Sequence, residues 1–486
     1  MECFYLRSVR FHEASIYLLS LLMVSLFAKL RRFRKMTSSC YDNNHCIGKG
    51  FYHMKMNKQK KLLTAGEASS ALGVSVDTIR RWDKLGLLRS VRDSRNVRLF
   101  DPAEIEHAKR QHESPKELGA PSFHVLKSDP TEMTTVELFA GAGGTALGLE
   151  NAGFENLMLS EIDHSACETL RHNRPQWNVI EGDVAQIDFS GFEGKVNLLQ
   201  GGVPCQAFSY AGKSKGFGDT RGTLFFQFAR AIGECKPDVI MMENVRGLLT
   251  HDGGKTIRTM LSCLMEKGYR VAIKILRAQF LDVAQKRERL VILGVRNDLD
   301  MPILFPKQSG ELMTLWDAIG DCPKSDGATY PQHKREILEL VPPGGYWRDL
   351  PDNLQREYLK GSYHLPGGKT GMARRLAWNE PSLTLTCAPA QKQTERCHPA
   401  ETRPLTVREY ARIQSFPDEW EFSGSMAARY KQIGNAVPVN MSYHIGKGIL
   451  AMLQGESPDD FVEVPALTEE QVEDAAYLKT IALEYI

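Results

Sequence analysis

From Thr135 to Val295 the chain alternates short apolar runs with longer amphipathic stretches. Strand patterns start at Thr135 and recur at 157–160, around Val179 and Ile180, and at 196–199, 238–242, 270–276 and 290–295. Helical periodicity fills about 165–172, 223–235 and 254–267, and a helix follows the glycines after Leu138. This alternation predicts an α/β fold, with a largely parallel sheet covered on both faces. The link from 270–276 to 290–295 is too short for a helical crossover, so those two strands are expected to be antiparallel.

Such a sheet places its chemistry in the loops beyond the carboxyl ends of its strands. After the first strand, Gly141, Gly143 and Ala146 satisfy the G-x-G-x-x-G/A spacing of a dinucleotide loop, a weakly specific signal by itself. The second strand delivers Glu161, about 20 residues past that loop and in reach of ribose hydroxyls. A merely solvated acid at a strand end is the competing reading. The third strand ends in Gly182-Asp183. Beyond Leu199 the chain turns through Gly201, Gly202 and Pro204 and presents Cys205 where a nucleophile would stand. Most intracellular cysteines are structural, so position alone does not decide the role of Cys205.

The amino-terminal part has a different character. Residues 14–28 are apolar and uncharged, with Arg31, Arg32, Arg34 and Lys35 behind them. They are too few for a membrane span, which takes about 20 residues. No small-residue cleavage pattern follows. The expected start of translation is therefore Met54 or Met56, with segment 1–53 carrying no assigned role. From Lys61 the pattern becomes two helices about a tight turn. Thr64 and Glu67 form a capping box, Gly73 ends the first helix and Ser75 starts the second. The second helix is read with Thr78, Arg80 and Arg81 outward, free for a major groove, and Ile79, Trp82 and Leu85 inward. Segment 90–100 reads as a two-stranded wing bearing Arg92, Arg95 and Arg98.

Overall charge does not reveal a partner, since the net value is only +2. Its distribution does: residues 55–112 hold 13 Lys/Arg against 7 Asp/Glu, the footprint of phosphate contact. The ten cysteines have no paired metal-site spacing and read as reduced thiols of a cytoplasmic protein.

Two family resemblances follow from these residues. Gly66-Glu67-Ala68, Leu72-Gly73-Val74, Thr78-Ile79-Arg80-Arg81-Trp82 and Gly86-Leu87-Leu88 resemble the MerR type of winged helix-turn-helix. Pro204-Cys205-Gln206 with Phe208-Ser209, and Glu243-Asn244-Val245 after the next strand, resemble the cytosine-C5 DNA methyltransferase family. Further blocks at 137–144, 161–163, 182–183, 219–225, 285–289 and 432–438 follow in family order. Glu137 stands where the family more often has Asp.

The second resemblance implies a Rossmann-like methyltransferase domain of mixed, mostly parallel sheet, with a smaller irregular target-recognition domain. It implies S-adenosyl-L-methionine as cofactor, held by Phe139, Ala140, Gly141, Gly143, Gly144, Glu161, Ile162, Asp183, Pro204, Leu224, Asn435 and Ala436. Cys205 is the implied nucleophile and Glu243 the group that hydrogen-bonds the cytosine ring. Arg287 and Arg289 would hold the nucleophile loop and the base carbonyl. Gln206 and Ser209, with Thr78, Arg80 and Arg81 of the winged helix, are expected to touch DNA. The chemistry requires no metal.

The resulting layout is 1–53 unassigned, 55–112 helix-turn-helix, 113–133 a Pro-rich linker and 134–306 the cofactor-binding catalytic domain. Residues 307–426 form the target-recognition region, where Arg374, Arg375, Lys392 and Arg396 are candidate DNA contacts by composition. Residues 427–455 return to the catalytic domain and 456–486 form an acidic tail. The expected activity is methylation of C5 in a specific double-stranded DNA sequence, with a cognate restriction endonuclease and the protein's own promoter as further partners. An RNA cytosine methyltransferase is disfavoured, because most such enzymes carry the nucleophile on the strand that here ends in Glu243-Asn244. A transcriptional regulator with a vestigial methyltransferase portion is disfavoured by the intact motif set.

Overall fold

The computed structural model describes residues 62–84, 88–113, 118–203, 224–308, 312–367, 369–456 and 458–484. The chain divides into units Met1–Gln59 and Lys60–Ile486, and every described residue belongs to the second. The apolar run 14–28, Met54 and Met56 lie outside the described residues.

Local sequence determines the first module. β1 (Leu63–Thr64) leads into α1 (Ala65–Leu72) through the expected capping box: the Thr64 hydroxyl accepts from Glu67 N–H, and Glu67 accepts from Thr64 N–H. Gly73 ends α1 at φ 64°, a left-handed geometry open to a residue without Cβ. α2 (Val76–Lys84) follows, then the antiparallel wing β2 (Ser90–Arg92) and β3 (Arg98–Phe100), then α3 (Pro102–Glu113). Ala68, Ile79, Trp82, Leu88, Phe100 and Ile105 form the core. Full burial of Ile79 or Phe100 contributes about 1.5–3 kcal/mol each. Thr78 corrects the sequence reading of α2. It is fully buried rather than outward, because its hydroxyl is satisfied 3.0 Å from the Ser75 hydroxyl at the helix start.

The main sheet begins with β4 (Thr134–Leu138), α4 (Gly144–Ala152), β5 (Glu155–Glu161), α5 (His164–Asn173), β6 (Val179–Glu181) and β7 (Leu198–Gly201). It continues with α6 (Leu224–Cys235), β8 (Val239–Val245), α7 (Lys255–Glu266), β9 (Tyr269–Arg277), the short β10 (Gln285–Lys286) and β11 (Glu288–Arg296). Strand order is β6-β5-β4-β7-β8-β11-β9. β11 is antiparallel to both β8 and β9, as the short link demanded; the other pairings are parallel. Order reverses between β4 and β7, so the loops after these two strands flank the crevice where a doubly wound sheet binds its ligands.

β12 (Leu304–Pro306), α8 (Leu315–Ile319), α9 (Gln332–Glu339), α10 (Asp352–Leu359) and β13 (Ser382–Leu383) build an irregular region with its own small core of Tyr330, Leu338, Trp347, Tyr358 and neighbours. α11 (Val407–Ile413), α12 (Met426–Asn435) and α13 (Val439–Gln454) return to the sheet. α13 lies close on α4: a Cβ on Gly148 would stand 2.5 Å from the Val439 carbonyl oxygen. β14 (Phe461–Glu463) pairs with β12, and α14 (Glu469–Glu473) and α15 (Ala475–Leu483) insert Val472, Leu478 and Ala482 into the core beneath β9. The acidic tail is thus one layer of the catalytic domain.

Segment 118–133 is fastened along its length. Trp316 Nε1 donates to the Gly119 carbonyl (2.9 Å), Leu126 N–H to Asn440 Oδ1 (2.9 Å), and Thr131 N–H to the Gly153 carbonyl (2.8 Å). Among the described residues no helix is long and apolar enough to cross a membrane.

Candidate active site

The loop after β4 is shaped by backbone that most residues avoid. Phe139 takes φ 62°, Gly141 φ 55° and Gly143 φ 84°. A left-handed non-glycine residue such as Phe139 costs of order 1–3 kcal/mol and persists only where its surroundings hold it. Here Ala140 N–H donates to the Ser160 carbonyl (3.0 Å), and a Cβ on Gly144 would sit 2.2 Å from the Val437 carbonyl oxygen. The loop is therefore clamped between β5 and the start of α13.

Glu161, at the end of β5, faces this loop. Its Oε2 accepts from Gly141 N–H (2.7 Å), and its Oε1 accepts from Ile162 N–H (2.9 Å) and Asp163 N–H (2.8 Å). Three amides fix the carboxylate while leaving it acceptor capacity for an incoming hydroxyl. Next to it Ile162 is 70% exposed, an apolar surface with no protein cover. Asp183 is exposed and accepts from Ala185 N–H (2.9 Å). Asn435 and Ala436 close α12 beside Gly144, and Leu224 opens α6. Behind the loop Glu137 is buried in register with Gln200 of β7. Burial, then the nearby Glu161, push its carboxyl well above the usual range.

On the other side of the crevice, β7 runs into Gly201, Gly202 and Val203, the last described residues before Pro204-Cys205. Pro204, Cys205, Gln206 and Ser209 lie outside the described residues. What holds the entrance to that loop is visible. Asn244 Nδ2 donates to the Val203 carbonyl at 2.8 Å, a buried bond from the strand alongside. Glu243, one residue earlier, points the other way as strand alternation requires. Its carboxylate pairs with Arg289 of β11, and Oε2 stands 3.9 Å from where a Gly202 Cβ would be. The Glu243–Arg289 pair thus lies beside Gly202, three residues before Cys205 in the chain.

Arg287 stands in the link between β10 and β11. It is 1% exposed and donates to the carbonyls of Leu385 (3.3 Å), Gly434 (3.1 Å) and Asn435 (3.3 Å). It thereby ties the catalytic strand to the end of α12. Burial, then Arg289, draw its pKa well down, with Glu243 opposing. Beside these residues opens a basic cavity of about 360 Å³, lined by Arg246, Arg277, Lys286, Arg287, Arg289 and Thr384 among others.

Three of the arginines selected by composition in the irregular region are internal. Arg375 donates to the Val341 (2.7 Å) and Leu338 (2.8 Å) carbonyls, Arg396 to Thr384 O (2.6 Å), and Arg374 lies 3.6 Å from Glu380. Each is 5% exposed or less, so they shape the region from within. Lys392 is half-buried over the Tyr358 ring. In the first module Arg80 remains exposed, 3.3 Å from Asp77, whereas Arg81 is engaged by Glu380 at 3.0 Å. His164, Glu168 and Glu181 gather on the surface, and Arg171 already pairs with both carboxylates.

Asn244 and Glu380 were not singled out from sequence as site residues. Asn244 stood inside the Glu243-Asn244-Val245 block, one residue from a chosen acid. Glu380 had no local signal at all.

A doubly wound sheet with a glycine loop on one side of its switch point and a Glu–Arg pair on the other defines a Rossmann-like methyltransferase. The chain belongs to the family described as C-5 cytosine-specific DNA methylase, which matches residues 133–451, and its activity class is DNA (cytosine-5-)-methyltransferase. Residues 64–100 match the MerR family of regulatory proteins. Among curated relatives, the Type II methyltransferase M.Eco47II of Escherichia coli is 54% identical, over 82% of this chain and 97% of its own length. M.PspPI of Psychrobacter sp. (strain TA137) is 57% identical over 67% and 81%, respectively. M.Sau96I of Staphylococcus aureus is 53% identical over 65% and 75%.

Proposed function

We propose that this chain transfers the methyl group of S-adenosyl-L-methionine to C5 of a cytosine turned out of double-stranded DNA, as the modification enzyme of a Type II restriction-modification pair. The observation that carries this reading is the Glu243–Arg289 pair over Gly202, across the switch point from the Glu161-clamped glycine loop.

The residues fit the cofactor. Glu161 offers a fixed carboxylate for ribose hydroxyls, Ile162 an uncovered apolar face for the adenine, and Asp183 an exposed acceptor beyond β6. Phe139, Ala140, Gly141, Gly143, Gly144, Asn435 and Ala436 supply the cleft, and Leu224 and Pro204 are assigned to the cofactor from the family motifs. The bound cofactor supplies an electrophilic methyl on a sulfonium.

C5 of cytosine is a weak nucleophile, so the ring must be activated first. The Cys205 thiolate adds at C6, and C5 becomes an enamine carbon that attacks the methyl group. Glu243, carrying or sharing a proton, donates it to N3 and accepts from the amino group, stabilising charge that develops on addition. Arg289 keeps that carboxylate oriented. After methyl transfer, which would leave the cofactor as a neutral thioether, C5 gives its proton to a solvent base, the C5–C6 double bond re-forms and Cys205 leaves as the thiolate. The target atom is unreachable inside a duplex, which requires base flipping. Gln206 and Ser209, on the same loop, are assigned to DNA.

The Type II names of the relatives support a cognate endonuclease as functional partner. For the MerR-type module, repression of the protein's own promoter is one role and assistance to methylation in cis is the other. Engagement of Arg81 by Glu380 favours the second. The test of the main reading is bisulfite sequencing of host DNA from cells expressing the wild-type chain or Cys205→Ser. Protected cytosines at one short sequence, lost in the variant, are expected. Methylation that survives the substitution would remove Cys205 from the mechanism.

A further inference from the structure

A helix that reads a major groove must keep its polar face free. The part of α2 that carries Asp77 and Arg81 is occupied by the methyltransferase, while Arg80 and Lys84 stay exposed. Asp77 Oδ2 accepts from Tyr346 OH (3.0 Å) and from Arg348 Nη1 (3.0 Å). One turn along, Arg81 grips Glu380 with two bonds, Nη2 to Oε1 (3.0 Å) and Nε to Oε2 (3.3 Å), and also reaches the Gly344 carbonyl (3.0 Å). Trp82 Nε1 lies 3.4 Å from the same Oε1. The contacts extend along the helix from its first turn to its last.

Glu380 is the pivot. It is 2% exposed, and its Oε2 also accepts from Lys286 Nζ at 2.7 Å. A carboxylate this deeply buried is costly unless fully paired, so the cations around it are held as firmly as it is. Lys286 belongs to β10, which pairs with β13 through Lys286 and Leu383, and Thr384 Oγ1 donates to the Lys286 carbonyl (2.7 Å). The next residues are Arg287, which secures Gly434 and Asn435, and Arg289, which holds Glu243. An unbroken polar chain therefore runs Arg81–Glu380–Lys286 into the strand that orients the Glu243 carboxylate.

We propose that the helix-turn-helix module acts as a positioning element of the methyltransferase, with Arg81 setting the Lys286–Arg289 segment through Glu380 instead of reading DNA. The proposal rests on the methyltransferase reading above. The exposed basic surface left to the module comprises Arg80 and Lys84 of α2 and the wing, where Arg95 is 85% exposed in its side chain.

The experiment uses the full chain and a short duplex carrying only the methylated sequence, with methyl incorporation and duplex affinity measured over a range of salt. Arg81→Ala is expected to lower kcat about tenfold, while Kd for the duplex stays within twofold and its salt slope is unchanged. Arg81→Lys, which restores a cation to Glu380, should recover at least half of the loss. Should Arg81→Ala not fold, Tyr346→Phe removes one interface bond and is expected to lower kcat two- to threefold with Kd unchanged. Unchanged kcat in the folded variants overturns the proposal. So does a weaker Kd with a shallower salt slope and normal kcat, the signature of a lost phosphate contact. Absence of incorporation by the wild-type chain would instead sink the underlying methyltransferase reading, and it would be seen before any variant is compared.

Discussion

Asn244 donates a buried hydrogen bond to the Val203 carbonyl, so the strand bearing Glu243 also anchors the root of the Cys205 loop. In the proposed mechanism, adjacent residues of β8 thereby share the orientation of the target base and of the nucleophile. Asn244→Ala leaves a buried carbonyl unpaired, a cost of about 1–3 kcal/mol. If that cost falls on the transition state, kcat drops roughly 5- to 150-fold. Methyl incorporation under saturating conditions should show that drop, with cofactor affinity within threefold of wild type. A normal kcat would mean the loop is set by other contacts.

Arg289 and Glu243 are both nearly enclosed, with side-chain exposures of 10% and 12%. Removing one partner of such a pair costs about 3–5 kcal/mol, because the other charge is left buried. Arg289→Ala should therefore abolish measurable turnover and lower the melting temperature. Arg289→Gln, which can still donate a hydrogen bond, should melt higher than Arg289→Ala yet stay far below wild-type activity. Equal activity of wild type and either variant would detach Arg289 from catalysis.

His398 gives the irregular region a pH limit. It is 5% exposed, and Nδ1 accepts from Ala400 N–H (3.3 Å) and Glu401 N–H (3.0 Å), so protonation would break both bonds. Burial pushes its pKa down to about 4, against the pull of Glu409. The folded value lies below the unfolded one near 6.5, so the neutral ring contributes in full above that pH. The contribution, about 3 kcal/mol, is lost as pH falls from 6.5 towards 4. Thermal melts across that range should decline for the wild type and decline less for His398→Gln. Parallel curves would show that another group controls the transition.

The acidic tail is expected to be indispensable to folding. Removing 457–486 uncovers the sites of Leu467, Val472, Leu478 and Ala482 in the main core, and deprives Lys274 of the Ile481 carbonyl it bonds at 3.0 Å. Each large aliphatic contributes about 1.5–3 kcal/mol. The truncated chain should melt well below the full chain or be recovered aggregated. A melting temperature within two or three degrees would show the tail to be a passenger.

What could be read from sequence was what neighbouring residues decide. The Thr64–Glu67 capping box, the Gly73 stop and the antiparallel end of the sheet depend on spacing within a few residues or on a link length, and each took the expected form. Glu161 was placed correctly at the end of its strand, facing the glycine loop. Thr78 was turned the wrong way because its outward phase ignored the bond to Ser75. Arg374, Arg375 and Arg396 were judged by charge, and charge does not reveal that carbonyls and Glu380 wait inside the fold. The partner of Arg81 lies 299 residues away, beyond any periodicity. Acidity marked the tail, but not the sheet face it covers.

Glu380 also limits where sequence specificity can be re-engineered. Grafting in another enzyme's recognition region would normally exchange the irregular segment as a block, cutting near Pro306 and Thr406. Such a graft would bring a foreign residue to the point where Arg81, Lys286 and Arg374 converge. Three cations would then face one another inside the protein without an anion. A workable chimera keeps Trp378 to Leu383 from the recipient and changes only what lies outside that stretch, so the usable boundary is set by one buried carboxylate rather than by the visible edge of the region.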